Sequence, residues 1–371
     1  MIVLARPSPW HYLFSQNLDH VPSTAGPFSF YPRGRDALLA GLSLLGLSQG
    51  DVILVPAYIC ASITKPLQKM GYKVAFLDIE SNLDFDSKKV LAAIAKYKVK
   101  AVLLVHFFGF PASVKHIVEV CRPLGVKVIE DCCHSFLTSI DGVPVGSYGD
   151  AAIFSMRKTL PVPDGGALRF NHSVNEQSAL KNTLGEPQNA VRYFVSRALE
   201  GCIAVLGWPN IYSETVDNIR RKLQRGGKVE EQVGVVLPTI ASKPLWHYLA
   251  DECYLRETSR IIQGNYNQLV EACTAMGLIS YIPKLPVGCT PQWAILEDHS
   301  GKLVSYLRRS GIGACRWPWH ELPAEVAQDP LSYPISNMLN TRLALLPVHQ
   351  SIGRYQLARI LSVLRRYVNS L

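Results

Sequence analysis

Between Val52 and Ile129 the sequence alternates strand-length apolar runs with helix-length amphipathic segments, and this alternation limits the possible folds more than any other feature of the chain. The runs Val52 to Val55, Lys73 to Leu77, Ala101 to His106 and Val126 to Ile129 have strand length. Between them Ile59 to Met70, Ser87 to Lys96 and Ala112 to Leu124 repeat apolar residues at helical spacing. Such apolar strands need cover on both faces, and a helix between each pair makes neighbouring strands parallel. The pattern therefore predicts an α/β fold whose large domain holds a mostly parallel sheet flanked by helices. Asp36 to Leu47, apolar all round, reads as a buried helix leading into it, and Ala152 to Ser155 and Ala167 to Phe170 read as later strands. Ligands of such sheets gather at the carboxyl ends of the strands. Asp78, His106 and Asp131 fall at such ends.

The flanks of this core follow other patterns. The first thirty residues hold four prolines and little periodicity, and read as an irregular arm. After Phe170 the sequence suggests helices near Ala190 to Leu206 and Ser213 to Leu223, and then one long helix from Leu245 to Met276. A strand at Gln292 to Leu296 and helices at Gly301 to Ser310 and Ser351 to Ser370 complete a smaller C-terminal α+β domain. A chain of 371 residues suits two domains. We place them at residues 1–240, the large domain, and 241–371, the small one.

Charged residues make up only 18% of the chain, which points to some surface covered by a partner subunit, a homodimer being the simplest case. No apolar run reaches membrane-spanning length, and MIVLARPSPW lacks a signal peptide's apolar region, so a soluble cytoplasmic protein is expected. Nine cysteines without a CxxC pair suggest reduced thiols, with neither a disulfide framework nor a metal site. The net charge of +9 has one local cluster, Ile219 to Lys228. It could attract a phosphorylated ligand, but no nucleic-acid-binding motif accompanies it, and no nucleic-acid partner is expected.

The stretch from Val126 to Gly166 carries the residues with chemical promise. Asp131 and His134 leave the end of a strand, and Lys158 stands in a turn between the strand ending at Ser155 and Gly165-Gly166. Upstream, Gly34, Arg35 and Asp36 open the first helix, where backbone N–H groups can cradle an anion. A lysine, an acid, an anion cradle and a ring-facing side chain are what pyridoxal phosphate (PLP) requires. Taken singly, each has a plainer reading: a surface lysine, an acid capping a turn, a satisfied polar histidine, an ordinary helix start. GxGxxG and GxxxxGK[ST] phosphate motifs are absent.

In order, YPRGRDAL, GDVILVPAYICAS, VAFLDI, VHFFGFPA, VIEDCCHS, GSYGDAAIFSMRKTLPVPDGG and LALLPVHQSIG resemble the DegT/DnrJ/StrS-type sugar aminotransferases, PLP enzymes of fold type I. The resemblance implies Lys158 as the Schiff-base lysine, Asp131 as partner of the ring nitrogen and His134 as the residue beside the ring. It implies Ser155 and the Gly34, Arg35, Asp36 loop near the phosphate, and sets Cys60, with Tyr58 close by, where an aromatic side chain often stacks on PLP. Arg157, Arg225, Arg316 and Trp317 are the substrate contacts it suggests.

In that family the lysine stands five positions after the serine; here it stands three after Ser155. The family's mid-chain segment that reaches the neighbouring subunit's site has no recognisable counterpart, and Arg225 to Lys228 lies in about its place. The implied activity is transfer of an amino group from glutamate to a nucleotide-linked keto-sugar in a homodimer with a shared site. Other PLP reactions such as sugar dehydration, or a non-catalytic regulatory role, are the alternatives. The retained Lys158 argues against a dehydratase, which by the resemblance would carry histidine there.

Overall fold

A computed structural model describes residues 28–171, 243–318 and 321–371. Seven strands form one sheet in the order β1-β9-β8-β5-β4-β2-β3. Those of the expected parallel core are β2 (Val52–Pro56), β3 (Lys73–Leu77), β4 (Val99–Val105), β5 (Lys127–Asp131) and β8 (Ala151–Ser155), each parallel to its neighbours in this set. Helices α1 (Gly34–Leu44), α2 (Ala61–Lys69), α3 (Ser87–Tyr97) and α4 (Val114–Cys121) alternate with them. Ile53, Leu54, Val102, Leu103 and Ile129 are fully buried, as the doubly covered sheet requires. A short hairpin, β6 (Ser139–Ile140) and β7 (Val143–Pro144), separates β5 from β8.

Two antiparallel strands close one edge of the sheet. The segment β9 (Gly166–Phe170) runs back along β8, and β1 (Phe28–Tyr31) pairs outside it. The expected irregular arm thus ends in a strand. Four residues are too few for a periodic signal, and the partner lies more than a hundred positions away. Gly166 is required where β1 leads into α1, since a Cβ there would stand 2.3 Å from the Arg33 carbonyl carbon.

In the C-terminal part, the helix expected from Leu245 to Met276 is two helices, α5 (Lys243–Ala250) and α6 (Glu252–Ala275). Asp251 divides them by capping α6, its carboxylate accepting from the Tyr254 N–H at 2.8 Å. Strands β10 (Trp293–Glu297) and β11 (Leu343–Pro347) pair antiparallel, joined by α7 (Leu303–Arg309), α8 (Ala324–Ala327) and α9 (Pro334–Arg342), and α10 (Arg354–Val368) follows. The helices expected at 190–206 and 213–223, the basic cluster at 219–228 and the domain boundary near residue 240 lie outside the described residues. Among the described residues no helix is long and apolar enough to cross a membrane.

Asp78, at the end of β3, binds the C-terminal part to the sheet. Its carboxylate accepts from the N–H groups of Ile335 and Ser336 at 2.8 and 2.9 Å, capping a helix that has no local side-chain cap. Asp78→Ala should therefore lower stability by about 1–2 kcal/mol, read as a shift in denaturant midpoint.

Candidate active site

The parallel register brings the exits of β4, β5 and β8 to one level, with Val105 opposite Asp131 and Asp131 opposite Ile153. Because side chains alternate along β5, Glu130 and Asp131 point to opposite faces of the sheet. On one face, Glu130 accepts from the N–H groups of Gly146, Tyr148 and Gly149 at 2.8, 2.7 and 2.7 Å and pairs with His106 Nε2 at 3.0 Å. His106 Nδ1 accepts from the Ala112 N–H at 3.0 Å, so Nε2 carries the proton given to Glu130. Burial pushes the Glu130 carboxyl up, but His106 and the Gly149 and Gly146 N–H groups outweigh it and hold it below its ordinary value.

Cys132 joins His106 and Glu130 in the one group among the described residues spaced to surround a metal ion. Both ring nitrogens of His106 and both oxygens of Glu130 are already committed to hydrogen bonds. This is a structural knot beneath the site, and it was not legible in the sequence because its parts come from separate loops and strands.

On the other face, Asp131 accepts from the Cys133 N–H at 2.9 Å. His134 is buried and stacks on Phe108 at 5.7 Å and 7°, while its Nδ1 accepts from the Phe108 N–H at 3.3 Å. Burial drives His134 well below the usual imidazole value, and the Lys158 ammonium pushes the same way. Burial also raises the Cys133 thiol, with Asp131 adding to the rise and Lys158 opposing it. Lys158 therefore projects its charge toward Cys133 and His134. It ends a single 3₁₀ turn, Met156–Lys158, directly after β8, and with His134, Thr159, Thr290, Gln292 and Gln350 it lines a cleft between the two parts of the chain.

Gly34 closes the far side of this cluster. A Cβ there would come within 2.8 Å of Cys133 Sγ and 3.1 Å of the Phe154 carbonyl oxygen, so only glycine lets the start of α1 lie against the exits of β5 and β8. Ser155 lies beside it, and the Arg33 side chain at the start of α1 makes no cap to it. Asp36 is pushed up by burial, against the pull of Arg33, Arg35 and Arg157.

The remaining sequence candidates divide. Trp317 lies edge-on to His134 at 5.6 Å and to Tyr58 at 4.7 Å. Tyr58 is fully buried in that aromatic cluster, and its hydroxyl has no hydrogen-bond partner among the described residues. Cys60 sits at the start of α2, where its sulfur accepts from Ser62 Oγ at 3.1 Å. Arg316 gives its guanidinium to Asp298 at 2.7 Å and to the Gly301 carbonyl at 3.2 Å. Arg225 lies outside the described residues. Gln292 and Gln350 were not singled out from sequence, although both sit in short polar interruptions beside buried strands.

Residues 32–193 match the model of the DegT/DnrJ/EryC1/StrS aminotransferase family. That segment, which holds Asp131, His134 and Lys158, is similar to that family.

It is 31% identical to GDP-perosamine synthase of Vibrio cholerae over 144 residues, which is 38% of this chain and 39% of that one. A longer match, 24% identical over 339 residues, covers 90% of this chain and 82% of the UDP-N-acetyl-3-dehydro-alpha-D-glucosamine 3-aminotransferase of Acidithiobacillus ferrooxidans. The fold agrees with a DegT DnrJ EryC1 StrS aminotransferase from Brucella abortus at a TM-score of 0.65 and 20% identity, covering 92% of this chain and 85% of that one.

The burial of His134 has a pH consequence. Its folded pKa lies below the unfolded value of 6.5, so below that pH the unfolded chain takes up a proton that the folded chain refuses, and stability falls. The denaturant midpoint should drop between pH 7.5 and 5.5, and His134→Gln should make that drop smaller.

Proposed function

We propose that this chain is a PLP-dependent aminotransferase that moves an amino group from glutamate to a nucleotide-linked keto-sugar. The observation that carries the reading is the convergence, at one end of the sheet, of Asp131, neutral His134, Lys158 and an uncapped helix start that only glycine can form. These residues fit the group. The start of α1 and Ser155 would receive the phosphate, Asp131 would hold a proton on the ring nitrogen, and His134 would flank the ring without adding charge. Lys158 would hold PLP covalently through Nζ.

When bound, PLP supplies an electron sink that stabilises negative charge at the substrate carbon. The protein's own contribution is then positional and protonic. Asp131, anchored by the Cys133 N–H, would place its carboxyl group against the ring nitrogen. Lys158, the one amine lining the cleft among the described residues, would be the group that moves a proton at the substrate carbon. Trp317 and Phe108 wall off His134 and exclude water from that side.

Dimerisation and a cytoplasmic setting belong to the same reading, with Arg157, Arg225 and Trp317 as acceptor contacts. Arg316, held by Asp298, would act by shaping that wall. The test is glutamate-dependent conversion of added PLP to its amine form, followed by a screen of nucleotide-linked keto-sugars as acceptors. Protein that never takes up PLP would sink the reading. Uptake without amino transfer to any keto-sugar or keto-acid would favour a regulatory role instead.

A further inference from the structure

The turn that carries Lys158 is short. Thr159 and Leu160 donate to the Met156 carbonyl at 2.9 and 2.7 Å, and Met156 donates to Gly165 at 2.7 Å. These bonds fix where the turn begins. The carbonyl oxygens of Lys158 and Thr159, at its end, are met from across the cleft. Gln350 Nε2 donates to Thr159 O at 2.9 Å, and Gln292 Nε2 reaches Lys158 O at 3.5 Å. A carbonyl oxygen can only accept, so each amide must present its NH2 to the turn.

We propose that Gln350 and Gln292 are positioning residues for Lys158: by holding two successive main-chain oxygens they set the direction in which its side chain enters the cleft. The proposal rests on the reading of Lys158 as the reacting amine. Both glutamines stand on fixed backbone. Gln292 N donates to Phe108 O at 2.7 Å, and the preceding residues lie so close to Gly109 that a Cβ there would stand 2.4 Å from the Thr290 carbonyl oxygen. Gly109 has φ +96°, so a side chain is unwelcome on both counts. Gln350 follows β11 in a segment whose Val348, His349 and Ile352 carbonyls all receive the Asn265 amide, at 3.3, 3.4 and 3.0 Å.

The residue type also supports the assignment. The Oε1 atoms of Gln292 and Gln350 are buried with no hydrogen-bond partner among the described residues. A side chain kept for packing alone would be apolar and would carry no such unpaired oxygen. What glutamine adds here is the N–H pair directed at the turn. Gln350 also stands beside the Tyr254 hydroxyl, which braces it against α6.

The experiment uses the full chain with Gln350→Met, Gln292→Met and the double variant. Hydrogen exchange at Thr159 and Leu160 should quicken about tenfold in Gln350→Met and more in the double variant, with exchange in β4 and β5 unchanged. The rate at which added PLP is captured on Lys158, trapped by borohydride and read by mass, should fall about tenfold to a hundredfold. In the glutamate half-reaction kcat should fall by a similar factor with KM within about threefold, the mark of misplacement and not of lost binding. Unchanged exchange in the turn, or capture within twofold of wild type, overturns the proposal. So does faster exchange throughout the sheet, which would mean general loosening. If wild type fails to capture PLP while the variants still loosen the turn, the grip of the glutamines stands and the reading of Lys158 falls.

Discussion

Lys158→Ala should fold normally and lose covalent PLP capture altogether, with amino transfer reduced by at least about 10²–10⁴-fold. The side chain is partly exposed in a cleft, so its removal should cost little stability. It does remove a positive charge near His134 and Cys133. Without that charge the depression of His134 lessens, toward its ordinary value, and the rise of Cys133 grows, away from it. Borohydride treatment followed by mass analysis of the peptide spanning Ser155 to Gly166 checks the first part. A glutamate half-reaction in excess PLP checks the second. Transfer retained at wild-type rate would remove Lys158 from the chemistry.

Glu130→Ala should have the largest effect on stability, about 3–5 kcal/mol, because it strands several donors at once in a place water does not reach. Three backbone N–H groups and His106 lose their acceptor together. Glu130→Gln keeps one oxygen and should lose less. The knot is also sensitive to acid. The folded carboxyl sits below its ordinary value, so its contribution is present above the unfolded carboxylate value and disappears as pH falls through the folded one. Chemical denaturation at neutral pH and at about pH 4 separates wild type from Glu130→Gln on this point.

How much of this was legible in the sequence depended on the range of the interaction. Strands β2, β4 and β5 could be read within a residue or two because burial on both faces writes itself into each run of five to seven residues. Asp131, His134 and Lys158 were legible as types in an order. Their convergence follows from parallel register, which the alternation of strands and helices implies. What could not be read were couplings between distant segments. Strand β1 has only its pairing with β9 to define it, and the break at Asp251 depends on one capping carboxylate within an otherwise helical run. Arg316 looked like a substrate contact, yet Asp298, eighteen residues earlier, holds its guanidinium. Gln292 and Gln350 gain their meaning only from the carbonyls of a turn more than a hundred residues away.

That last separation bears on how the chain matures. The bonds from Asp78 to Ser336 and from Gln350 to Thr159 span 258 and 191 positions, so they close some of the longest loops in the chain. During synthesis the acid, the histidine and the lysine emerge early, and β2 to β8 can begin to assemble around them. The donors that meet the lysine turn follow it by 134 and 191 positions. A chain truncated before Gln292 would therefore keep Lys158 and lose both side-chain amides that meet its turn.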